Sequence, residues 1–198
     1  MFVGTGAIAG QGARRTRVVT AVSTGWMLAG TTEDVAGSGD AAWTSPTNAS
    51  GSPDDAYSTC NLQGYEVSHT LRAYNFDWTG IPTGKTITGI VLSVNGSYLY
   101  DNPSTYVRLY NSGSYIGTIA YIQSYLPYGI PPGAMDWCEI GRGWGMSTGS
   151  PNWGTTLTTT TFRDAADGFV LFTNGFLSTD QASSVYVDSM RMEVFYIP

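Results

Sequence analysis

The chain has 198 residues, a length that fits about one domain, and its 42% hydrophobic content can fill a core. Only 12% of residues are charged, with one lysine (Lys85), while glycine (25) and tyrosine (13) abound; that composition favours strands and turns over helices, where Ala, Leu, Glu and Lys would lead. The net charge of −6 argues against nucleic acid as a partner, and no apolar run reaches the length of a membrane span.

Residues 1–40 hold eight of the glycines and little apolar periodicity, so an extended arm is expected there, unable to fold alone. Its start, MFVGTGAIAGQGARR, invites comparison with a dinucleotide-binding turn. That turn needs a strand before it and a helix after it; the residues after Gly12 are β-branched and then coil, so nucleotide binding is rejected. Arg14, Arg15 and Arg17 give residues 1–32 a charge of +3 against −9 for the remainder. A basic start on an acidic body is expected to meet something acidic. Trp26, Met27 and Leu28 form an apolar plug that would anchor the arm on a partner. No secretory apolar region opens the chain, and the expectation is of a protein assembled in the cytoplasm of a cell.

From Ala41 onward the texture is that of strands. Residues 85–99 place Ile90, Leu92 and Val94 on one face and Val91, Ser93 and Asn95 on the other. Residues 105–111 alternate Val107 and Leu109 with Tyr106, Arg108 and Tyr110. Residues 167–174 are a short apolar run. Residues 184–197 put Tyr186, Met190, Met192, Val194 and Tyr196 inward, with Asp188 an exception on that face. Weaker strands are expected over 56–62, 66–76, 115–122 and 155–162, and long loops over 123–154. The domain 41–198 is expected to fold alone as an antiparallel β-sandwich, all-β in class.

Chemistry is sparse. GMSTG (145–149) matches the nucleophile-elbow pattern around Ser147 but sits in a Gly-rich loop with no helix after it. The one histidine, His69, lies in a strand-like stretch with no visible partner. Asp54 and Asp55, with Asp164 and Asp167, suggest calcium or a carboxylate pair, though acidic turns read the same way. Cys60 and Cys138 make no disulfide framework and no zinc pattern. No catalytic residue, cofactor or metal is assigned. Aromatic residues stand out in the loop region: Tyr121, Tyr125, Tyr128, Trp137, Trp144 and Trp153 serve either as exposed platforms for glycan or protein, or as a second small core.

Several stretches carry a resemblance: AWTSPTNASG (42–51), DDAYST (54–59), YNFDWTGIPTGKTITGIVLSV (74–94) and VYVDSMRMEVFY (185–196). Together they resemble a family of jelly-roll domains in structural proteins of tailed bacteriophages, most securely over 42–95 and 185–197. Residues 112–165 depart from its pattern. The resemblance implies a non-enzymatic virion protein: a jelly-roll body with an N-terminal arm, decorating and cementing the capsid exterior as a trimer on the major capsid protein. The alternative it implies is a tail, baseplate or fibre protein that binds host-surface glycans through the loop aromatics.

Overall fold

A computed structural model describes residues 20–37, 39–99, 104–122, 135–140, 153–174 and 183–198. Ten strands lie within them: β1 (Val22–Leu28), β2 (Thr31–Val35), β3 (Ser58–Leu62), β4 (Thr70–Tyr74), β5 (Ile87–Leu99), β6 (Ser104–Asn111), β7 (Ser114–Tyr121), β8 (Asp136–Ile140), β9 (Gly168–Asn174) and β10 (Ser183–Tyr196). The only helical element among the described residues is a 3₁₀ turn, Pro46–Ala49.

The strands form two antiparallel five-stranded sheets. In the first the order is β1-β10-β5-β8, with β3 also on β10; in the second it is β2-β4-β9-β6-β7. The inward faces meet in one core. The first sheet contributes Ile90, Leu92, Val94, Met190, Met192 and Val194; the second contributes Leu71, Ala73, Val107, Leu109, Phe169 and Leu171. The chain is therefore an all-β sandwich. The alternation of apolar residues along β5, β6, β9 and β10 produces this directly, because period two sends one set of side chains to each face.

Strand β10 organises the first sheet. Strand β5 runs along one side of it from Ser184↔Leu99 to Tyr196↔Ile87. On the other side β3 takes Ser183–Val187 and β1 takes the stretch from Arg191 to Tyr196. A bulge between Val187 and Ser189 separates the two. It inserts one residue and resets the alternation. Val185 and Val187 therefore join the core on the same side as Met190, Met192 and Val194. Tyr186, expected inward, turns out and meets Tyr57 edge-on. The misfit of Asp188 in the inward pattern is the trace of that bulge.

Four other expectations need correction. Residues 22–35, assigned to the arm, are strands of the sandwich: β1 pairs with β10 and β2 with β4. Met27 is buried in the core rather than held out as a plug. Residues 136–140, expected in a loop, form β8 on β5, with Cys138 and Ile140 facing the core. Residues 155–162, expected as a strand, form turns instead. There the hydroxyls of Thr158 and Thr161 bond to each other and to nearby backbone, competing with a ladder.

Removing residues 20–40 should strip β10 and β4 of neighbours and expose core around Met27. A chain comprising 41–198 should therefore unfold at lower urea than one comprising 20–198. The loss should exceed the 1.5–3 kcal/mol, roughly, that burying Met27 alone contributes. Equal urea midpoints would show that β1 and β2 are dispensable.

Candidate functional site

The outward face of the second sheet is where unusual chemistry gathers. Period two along β4, β6 and β9 places Thr70, Arg72, Tyr74, Tyr106, Arg108, Tyr110, Val170 and Phe172 there, opposite the core residues. The strand register sets a row across the sheet: Glu33 beside Arg72, Arg72 beside Val170, and Val170 beside Arg108. The two arginines thus stand two strands apart, roughly 10 Å at ordinary strand spacing.

Their surroundings differ. Arg72 forms an ion pair with Glu33, and its guanidinium lies 4.7 Å from the centre of the Tyr74 ring and 4.9 Å from that of Tyr110. Arg108 stacks on Tyr115 at 5.6 Å. The Nε of each arginine is buried without a hydrogen-bond partner, but no carboxylate among the described residues pairs with the Arg108 guanidinium. At one end of this face Tyr106 stacks on Phe172, with Tyr121 tilted against it.

The face is a groove. Thr70 on β4 and Tyr115 on β7 are three places apart in the sheet, yet their hydroxyls come within 3.5 Å. The hollow has a volume of about 340 Å³. Arg108, Val170 and Phe172 line its floor, Tyr115 and Ile119 one wall, and Val67, Ser68 and Thr70 the other. Tyr115 and Ile119 are about half exposed, at 48% and 52%, although both are large and apolar. Such residues grouped on one rigid face mark a contact surface.

The residues singled out from sequence fall elsewhere. Arg14, Arg15, Arg17, Tyr125, Tyr128, Trp144 and Ser147 lie outside the described residues. Trp26 and Leu28 lie half-buried on the outward face of β1, while Met27 points inward. Trp26 and Trp137 are brought together: the Arg191 guanidinium sits between them, 4.1 Å and 3.6 Å from the two rings. Trp153 is fully buried, and its indole nitrogen donates to the Ile90 carbonyl at 2.9 Å. It is a core residue, not an exposed platform. It also holds edge strand β7, because Thr118 N–H donates to the Trp153 carbonyl at 2.8 Å. Gly117 has φ +67°, and a Cβ there would lie 2.3 Å from that carbonyl oxygen, so glycine is required.

His69 does have a partner. Its Nδ1 lies 2.8 Å from Asp34 Oδ2. The other oxygen of Asp34 accepts the Trp43 backbone N–H at 3.0 Å, and the Trp43 indole donates to the His69 carbonyl at 2.9 Å. This knot ties β2 to β4 around a buried tryptophan. Among the described residues no hydroxyl or thiol bonds to the His69 ring, so the pair has no nucleophile to activate. Asp167 spends its carboxylate on the backbone N–H groups of Ser112, Arg163 and Asp164. Asp54 N–H donates to Asp188 at 3.1 Å, and Asp54 itself accepts from Ala56 N–H. These are turn-forming roles. Among the described residues no group of three or more His, Cys, Asp or Glu side chains is placed to hold a metal. Cys60 and Cys138 are free and buried, and burial pushes both thiols up to about 12.

The sequence of β6 alternates Tyr106, Arg108 and Tyr110 against core residues. That pattern, which by itself marks only a strand, is the available signal for this face. No protein-family model matches the chain, and no curated protein matches it.

The geometry makes two outcomes measurable. Trp153→Ala should lower stability by about 3–5 kcal/mol in urea unfolding, because it opens a large cavity and frees the β7 edge; a loss under about 1 kcal/mol would contradict a core role. Burial raises the Asp188 carboxyl pKa above its ordinary value of 3.8, with donation from the Asp54 and Asp55 backbone opposing the shift. A carboxyl whose folded pKa is raised loses stability as pH climbs through that window, since the folded state holds the proton longer. The stability of Asp188→Asn relative to the parent should therefore increase as pH rises from about 3.8 towards neutral. A difference independent of pH would show that Asp188 is unperturbed.

Proposed function

We propose that this protein is a non-enzymatic structural subunit of a tailed-phage particle, displayed on the capsid exterior as a decorating and cementing protein. The observation that carries the reading is the groove on the second sheet. It lays half-exposed aromatic and aliphatic side chains and an unpaired guanidinium on a rigid scaffold, which is equipment for holding a surface. Among the described residues, the Asp54, Asp167 and Asp188 carboxylates are consumed by turns, and Asp34 and His69 by the knot around Trp43. Two further points support the reading. The order β3-β10-β5-β8 in one sheet and β4-β9-β6-β7 in the other fits a jelly roll. The stretches 42–95 and 185–197 resemble the phage family at its most specific motifs.

Attachment to the major capsid protein, as a trimer, falls in this reading to the segment that precedes the sandwich, with Arg14, Arg15 and Arg17, which leaves the groove to face outward and hold what the particle meets. Trp26, Met27 and Leu28 are engaged by the sandwich itself. A second reading, a tail or fibre subunit gripping host glycans, is favoured by the aromatic groove. In that case the contact is made by the second sheet and not by Trp153.

Immunogold labelling of the particle with antibody raised against the full chain tests both. Gold over the head is expected. Gold confined to the tail selects the second reading, and intact particles without label overturn the virion assignment.

A further inference from the structure

We propose that the groove of the second sheet binds an acidic saccharide, a sugar ring bearing a carboxylate, with the carboxylate held by Arg108. This deepens the reading of that face as a binding surface and rests on it.

A guanidinium carries five donors and stays charged at all accessible pH values. Arg72, in the same row as Arg108, has Glu33 as a counter-ion. Arg108 has none among the described residues; the Nε atoms of both arginines are buried without a hydrogen-bond partner, so the missing counter-ion is what sets Arg108 apart. Burying part of an unpaired charge is unfavourable unless something completes it. A planar carboxylate matches the guanidinium fork.

The rest of the groove sets the class of molecule. Its 340 Å³ suits one or two sugar rings, at the small end of ligand sites. The Tyr115 and Phe172 rings offer apolar surfaces for the C–H face of a sugar. Thr70, Tyr115 and Asn174 put hydroxyls and an amide at the rim, while the buried Ser68 hydroxyl is taken by the Thr173 backbone N–H. Such a rim serves a ring carrying many hydroxyls.

A peptide is disfavoured by the edge beside the groove. Adding a strand to β7 needs a free row of backbone groups, but Thr118 N–H is already bonded to the Trp153 carbonyl. The net charge of −6 opposes long-range capture of anions, so selectivity must come from the short-range contact at Arg108.

The test is calorimetric titration of the full-length protein with trigalacturonate, its methyl ester, 3′-sialyllactose, lactose and an Asp/Glu hexapeptide. At least one acidic sugar should bind ten times or more tightly than its neutral counterpart. Arg108→Ala should abolish that preference, and Arg108→Lys should restore only part of it. Asn174→Ala should weaken both acidic and neutral sugars. Circular dichroism and urea midpoints establish that each variant is folded; if Arg108→Ala is not, Arg108→Gln takes its place. Equal binding of acidic and neutral sugars, no sugar binding at all, or retention of the preference without Arg108 would overturn the proposal. So would a hexapeptide that outcompetes every sugar. Particle labelling without sugar binding removes this inference and leaves the virion reading; sugar binding without labelling does the reverse.

Discussion

The pairing of β5 with β10 is what the first sheet hangs from. Among the described residues strand β8 hydrogen-bonds only to β5, and β1 and β3 share the far edge of β10. The two central strands are far apart in sequence, so bringing them together carries a loop-closure cost before any contact returns it. Length compensates: the pairing runs from Ser184↔Leu99 to Tyr196↔Ile87. Both strands are buried along most of that run, including the outward-facing Ser93 and Asn95. A two-sided burial of this kind fixes register firmly, because a one-residue slip would exchange both faces at once. The bulge at Asp188 is then tolerated only where β3 gives way to β1, at a break in the neighbouring edge.

With so few charges in the chain, individual ionic side chains are assigned to architecture. Asp34 and His69 clamp the entry to β4 around Trp43, and the carboxylate of Asp167 gathers three backbone donors at the turn into β9. Arg163 donates to the carbonyls of Ile81 and Trp78, bracing the turn before β5. Each replaces a hydrogen bond that regular structure cannot supply in a loop. The same residue types that advertise catalysis in a sequence are here the fastenings of a β-sandwich. Arg108 stands apart because it is drawn into no such fastening.

The two outward faces use one motif, a guanidinium against aromatic rings, in different ways. On the first sheet Arg191 is enclosed between Trp26 and Trp137 and lies 3.7 Å from Glu139. On the second sheet Arg72 is stacked and paired, whereas Arg108 is stacked and left without a carboxylate among the described residues. Stacking stabilises a planar cation over an aromatic face without neutralising it. The two arginines of the second sheet therefore differ in neutralisation and not in stacking.

The sequence by itself determined the class of fold. Alternation along residues 85–99, 105–111 and 184–197 dictates strands with one apolar face, and such strands must close on a second sheet. It also determined which side of β6 is core. Tertiary structure decided the rest. The fate of Trp26–Leu28 depends on an open edge of β10 at the other end of the chain, which no local pattern announces. The burial of Trp153 depends on a carbonyl of β5 and on the edge of β7. The partner of His69 arrives from β2, and the unpaired state of Arg108 depends on which strand happens to carry Glu33. Period two reports which way a side chain points; it does not report what stands opposite, because cross-strand neighbours are set by topology and register.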